Sequence, residues 1–146
     1  MAKQIGDYIR LCQMAGNPHE LDRSRCPGAF MVDFNMYDLL MLPQCKGNNH
    51  WVLLVASVMS RTVTIYDSLG GNNKALFDLF CQFMCQRGQI VKDGLEKISS
   101  ELKAPPCNKQ RHGNSCGVFA LMTAKCLVIK KHPTMLRQAH DSVYRD

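Results

Sequence analysis

No apolar stretch of this chain approaches the ~20 residues that a bilayer-spanning helix needs, so a membrane association through such a helix is not expected. No signal-peptide core follows Met1-Ala2-Lys3-Gln4 either, because Asp7 and Arg10 interrupt the segment; a protein of the nucleus or cytoplasm is expected. The eight cysteines include no CxxC pair. Without a secretory signal, and in 146 residues that can build a core unaided, they do not read as a disulfide scaffold. Cys81 and Cys85, four apart on an apolar helix, and Cys126 on another read as small buried hydrophobes. Cys107, His112 and Cys116 lack a zinc spacing, so no metal is expected, and nothing points to a cofactor.

The basic residues lack clustering. The net charge is +6, yet only Lys130 and Lys131 are adjacent, and aromatic side chains do not interleave with the lysines and arginines. A solvated basic surface is the expectation, rather than a nucleic-acid site. Repeats, linkers and low-complexity segments are missing too. With 46% apolar and 21% charged residues, the chain reads as one globular domain over residues 1–146.

What is present organises into alternating helices and strands. Ile5, Tyr8, Ile9 and Cys12 make one face of a helix from Ile5 to Ala15, which Gly16-Asn17-Pro18 ends. Residues 17–28 read as a loop, and Phe30 to Phe34 as a short strand or part of that connection. Leu39-Leu40-Met41-Leu42, closed by Pro43, is a buried strand. Trp51 to Val58 and Thr62 to Tyr66, separated by Met59-Ser60-Arg61, are neighbouring antiparallel strands, the first apolar on both faces as a central strand is. Asn73 is placed to cap a helix from Lys74 to about Arg87, with Gly88 at its exit. Val91 to Leu102 is ambiguous between helix and strand, and Pro105-Pro106 forces an extended connection. Ser115 is a candidate N-cap for a helix from Cys116 to about Lys130, apolar nearly all round and so buried and central. Lys130, Lys131 and His132 suit its C-terminal dipole, and a last helix from Pro133 to about Tyr144 follows.

Within this frame four side chains form a chemical set. Cys116 stands at the start of a buried helix, where unpaired N–H groups and the helix dipole favour a thiolate, the nucleophilic form. Gly117 keeps the approach to the sulfur open. His50 begins a strand after the turn at Cys45 to Asn49, and Asp67, 17 positions later, ends the next one. If the two strands pair antiparallel, the imidazole and the carboxylate meet at one sheet edge. The carboxylate then fixes the tautomer of a base that takes the thiol proton and returns it to the leaving amine. Gln110, six positions before Cys116, is placed to donate its side-chain N–H to the oxyanion. Taken singly these are ordinary residues: a cysteine among eight, a strand-end histidine, an aspartate that turns the chain and a loop glutamine. Trp51, the sole tryptophan, either packs the sheet or walls a narrow channel for an extended peptide.

Together, His50-Trp51, Tyr66-Asp67-Ser68-Leu69, Gln110 and Asn114-Ser115-Cys116-Gly117-Val118-Phe119 resemble the Ulp/SENP cysteine peptidases, which act on SUMO and related ubiquitin-like proteins. The resemblance covers roughly residues 30–130. Asp67 and the six-residue interval favour that group over adenovirus-type peptidases of similar layout. The chain departs from the pattern in having Ser115 where the family often has Asp, and in the 49 residues before His50, which imply an abbreviated N-terminal part.

The resemblance implies an α+β, papain-like fold of the Ulp/adenain type, with a central mixed sheet packed on a buried helix that starts at the nucleophile. It implies a thiol peptidase that cleaves after the C-terminal Gly-Gly of a ubiquitin-like modifier, SUMO or NEDD8 in type. Cys116, His50, Asp67 and Gln110 would be nucleophile, base, orienter and oxyanion donor, and Trp51 the channel wall. The expected partner is the modifier or its conjugates, met by a monomer. The competing expectations are a viral or mobile-element polyprotein protease, a non-catalytic modifier-binding module, and, more remotely, an acetyltransferase on a similar triad.

Overall fold

The computed structural model describes residues 2–15, 20, 27–46, 50–95, 102–103 and 115–129. The expected first helix is α1 (Ala2–Ala15). Its stripe of Ile5, Tyr8, Ile9 and Cys12 is buried. The segment around Phe30 is connection rather than strand, and partly helical: α2 (Pro27–Met31) leads into a 3-10 turn over Phe34–Met36. Pro27 presets the first helical φ. The Asp33 carboxylate accepts from the Asn35 N–H at 3.0 Å and so closes the turn.

Four strands follow: β1 (Leu39–Lys46), β2 (His50–Ser57), β3 (Thr62–Tyr66) and the short β4 (Leu102–Lys103). Their order is β1-β2-β3-β4, antiparallel except for the parallel β3–β4 pair, so the sheet is mixed. β1 runs past Pro43, which was expected to end it. Pro43 is tolerated because β1 lies at the edge of the sheet, where its missing N–H leaves no ladder partner wanting. β2 is central, and Val52 to Ala56 are all buried, as an element covered on both faces requires.

The parity of β2 divides the core. Val52, Leu54 and Ala56, with Leu40, Leu42, Val63 and Ile65, pack against α1 and against Leu76, Phe77, Phe80, Phe83 and Met84 of α3 (Lys74–Val91). Leu53 and Val55 face the other way, onto Ala120 of α4 (Cys116–Val128). α4 is apolar over more of its circumference than the sheet covers. Cys116, Phe119, Met122 and Cys126 are buried, while Leu121 and Val128 are exposed.

α3 continues one turn past its expected exit. Gly88 is buried inside the helix, and the chain leaves at Lys92, which adopts φ 57° and donates its N–H to the Gly88 carbonyl at 2.8 Å. The interior glycine weakens the helix locally but tolerates close packing. Leu102–Lys103 resolves part of the ambiguous stretch as strand. The expected connection through Pro105-Pro106 and the helix from Pro133 to about Tyr144 lie outside the described residues, as do Lys130, Lys131 and His132.

Candidate active site

The site begins with strand register. β2 and β3 pair Leu53 with Tyr66, so continuing the ladder sets Asp67 opposite Val52 and diagonal to His50 on the same face. The side chains meet: His50 Nε2 lies 2.6 Å from Asp67 Oδ1. This is the edge juxtaposition that the sequence led us to expect.

Asp67 is buried, with its carboxylate surrounded by donors. Oδ1 also accepts from the Leu69 N–H at 3.0 Å, and Oδ2 accepts from Asn73 Nδ2 at 3.2 Å. Lys46 Nζ stands 3.7 Å from Oδ2. Burial by itself would push the carboxyl up. The hydrogen bonds from His50, Leu69 and Asn73, with the charge of a protonated His50, outweigh burial and hold Asp67 below its ordinary value.

That ionisation assigns the histidine. A carboxylate only accepts, so His50 Nε2 carries the proton it donates, and the neutral ring has its lone pair on Nδ1. Nδ1 is buried and has no hydrogen-bond partner among the described residues. An unpaired buried nitrogen is costly, about 1–3 kcal/mol, and such groups concentrate where chemistry uses them.

Cys116 opens α4 and is buried. Ser115 stands at the N-cap position, as expected, yet its side chain makes no capping bond; only its carbonyl closes the turn, from the Phe119 N–H at 3.1 Å. The first-turn N–H groups are thus not occupied by a Ser115 side chain. Cys116 lines a shallow cleft together with Trp51, Tyr66, Ser68, Phe119, Ala120 and Thr123. Trp51, next in sequence to His50, leaves the sheet on the opposite parity and is 43% exposed, so it walls the cleft instead of filling the core. Its indole borders the helix start: a Cβ at Gly117 would lie 3.6 Å from Trp51 Cδ1.

Of the residues singled out from sequence, the structure joins His50 to Asp67 directly and Trp51 to Cys116 through the cleft. Gln110 lies outside the described residues. Two contributors escaped the sequence reading. Asn73 stands at the N-cap of α3, as expected, and its carbonyl accepts from the Phe77 N–H at 3.0 Å, but its side-chain amide is turned onto Asp67, while Asn72 Oδ1 takes the Lys74 N–H at 2.9 Å. Lys46 was not singled out; only the pairing of Lys46 with His50 across β1 and β2 brings it there.

Residues 22–146 match the Ulp1 protease family, C-terminal catalytic domain. Among solved structures, the chain is similar to a SUMO protease Ulp1 with its catalytic cysteine oxidised to a sulfonic acid, at 14% identity, covering 96% of this chain and 69% of that one, with a TM-score of 0.66. It is similar to a Ulp1-like SUMO protease catalytic domain from Chaetomium thermophilum at 21% identity, over 99% of this chain and 65% of that one, TM-score 0.58. A C-terminal Ulp1 protease domain in complex with Smt3, the yeast ortholog of SUMO, matches at 17% identity over 76% of this chain and 50% of that one, TM-score 0.58. At these identities the structural likenesses bear on the fold, which is the α+β papain-like arrangement expected.

Proposed function

This chain belongs to the Ulp1 protease family and is a cysteine peptidase, and we propose that it hydrolyses the isopeptide or peptide bond after the C-terminal Gly-Gly of a ubiquitin-like modifier of SUMO type. The observation that carries the site assignment is the oriented imidazole: His50 is held through Nε2 by an ionised Asp67, with Nδ1 buried and without a hydrogen-bond partner among the described residues. Cys116, at a helix N-terminus beside Trp51, is the nucleophile on this reading.

The reaction then runs in two halves. His50 Nδ1 takes the Cys116 proton, and the thiolate attacks the carbonyl carbon of the terminal glycine, forming the C–S bond. The tetrahedral intermediate collapses as the C–N bond breaks, and the imidazolium proton goes to the departing amine. Water enters, gives a proton to His50 and attacks the thioester; the C–S bond breaks, the sulfur takes that proton back from His50, and the modifier leaves as a carboxylic acid that ionises by losing its remaining proton to solvent. Gln110 is assigned the oxyanion donor role, worth about 3 kcal/mol for one well-aimed group. Trp51 beside Cys116 in the cleft favours residues without side chains next to the scissile bond, which suits Gly-Gly.

The test uses fluorogenic C-terminal amides of SUMO, NEDD8 and ubiquitin. SUMO amide should be turned over and lose all turnover in Cys116→Ala. Turnover of NEDD8 amide in its place would keep the chemistry and replace the modifier. No turnover of any of the three, in a protein whose Cys116 is reactive toward small alkylating reagents, would overturn the modifier assignment.

A further inference from the structure

We propose that Lys46 is a positioning residue that acts on His50 through Asp67. The proposal rests on the reading of Cys116 and His50 as nucleophile and base. Lys46 closes β1, pairs with His50 in the ladder and shares the face of Leu40, Leu42 and Gln44. Its ammonium reaches across His50's strand end to the loop after β3. There Nζ donates to the Asn72 carbonyl at 3.1 Å and sits 3.7 Å from Asp67 Oδ2. Gly71, at φ 102°, lets that loop pass near the cation, with its Cβ position 3.6 Å from Nζ.

The division of partners gives the contact its meaning. Lys46 and Asn73 lie on Oδ2, whereas His50 and the Leu69 N–H lie on Oδ1. A carboxylate swings readily about its terminal torsion. Holding Oδ2 from one side keeps Oδ1 turned to the imidazole, and the bond to Asn72 ties β1 to the loop that carries Asp67. Lys46 is itself 37% exposed while Asp67 is 4% exposed, so the ion pair is screened and adds little to stability. Its consequence is therefore the geometry of the base. Lys74, at the start of α3, is committed to Asp78 and to the Phe77 ring and serves as the control cation.

The experiment compares wild type, Lys46→Met, Lys46→Arg and Lys74→Met, using SUMO amide hydrolysis and, independently of substrate, the alkylation rate of Cys116 followed by peptide mass spectrometry. Lys46→Met should lower kcat about tenfold with KM unchanged, a loss typical of modest misplacement of a reacting group. It should slow Cys116 alkylation and leave the melting temperature in place. Lys46→Arg should recover most of the loss, and Lys74→Met should behave as wild type. Wild-type kcat in Lys46→Met, or a loss that Arg does not restore, overturns the role of Lys46. If wild-type Cys116 alkylates no faster than Cys45 and no amide is hydrolysed, the nucleophile–base reading fails, and the Lys46 proposal with it.

Discussion

The two faces of the sheet are built differently. The face under α1 and α3 is a closed core, with Ile5, Phe34, Phe80, Phe83 and Met84 fully buried. Among the described residues the face under α4 has a smaller core: Leu53 and Val55 meet Ala120, with Met41, Tyr66, Ala124 and Leu127 partly buried around them, and Leu121 and Val128 on the helix are exposed. The site draws on both. His50, Asp67 and Lys46 follow the parity of the closed face, and Trp51 and Cys116 belong to the open one. On the proposed reading, the base is held from the closed face, and the nucleophile and the cleft lie on the face that α4 covers.

The largest expected effect separates the base from the core. Asp67→Asn should lower kcat by about 10³–10⁴-fold, because an amide no longer selects the Nε2–H tautomer. The thermal midpoint should move far less than activity does. A variant with near wild-type kcat would break the assignment of Asp67 as orienter.

The next effect tests the closed face. Arg87 is 1% exposed, lies 3.8 Å over the Phe34 ring, and donates to Asp93 Oδ2 at 2.5 Å and to the Val32 carbonyl at 3.3 Å. Arg87→Ala leaves Asp93 without its cation and should cost about 3–5 kcal/mol in urea unfolding. A loss under ~1 kcal/mol would mean that this corner is not a fixed part of the core.

A smaller effect comes from pH. Asp67 stays ionised below the ordinary aspartate range near ~3.9. Its contribution to stability is complete above that value and is lost as pH falls through the lower folded value. Melting curves between pH 6 and pH 3 should fall more steeply for wild type than for Asp67→Asn; equal slopes would contradict the depressed carboxyl. The smallest effect belongs to the open face. Leu121→Ala, at a residue 65% exposed, should change stability by no more than about 0.5 kcal/mol, and a larger loss would show that this side is covered after all.

What could be read from sequence follows from periodicity and register. Two apolar, β-branched runs separated by Met59-Ser60-Arg61 gave the hairpin, and a hairpin with Leu53 opposite Tyr66 brings His50 to Asp67 whatever the loops do. The stripe from Ile5 to Cys12 gave α1 for the same reason. Side-chain competition was not legible. Asn73 reads as a side-chain cap, yet although it holds the N-cap position a buried carboxylate six residues earlier claims its amide, and Asn72 Oδ1 takes the Lys74 N–H. Lys46 is one lysine in a basic chain until β1 pairing sets it against His50. Gly88 resembles a helix stop because a lone sequence does not show that burial will carry the helix past it. Pro43 misled in the same way, since only edge placement excuses it.

The central claim is that one cysteine, activated by His50, attacks the terminal glycine of the modifier. Its most direct test is to react the protein with SUMO bearing a C-terminal propargylamide and to map the adduct by peptide mass spectrometry. The adduct should form on Cys116 in wild type and be lost in His50→Ala. An adduct on Cys45, Cys81 or Cys85, or equal labelling of Cys116 in His50→Ala, would contradict the account.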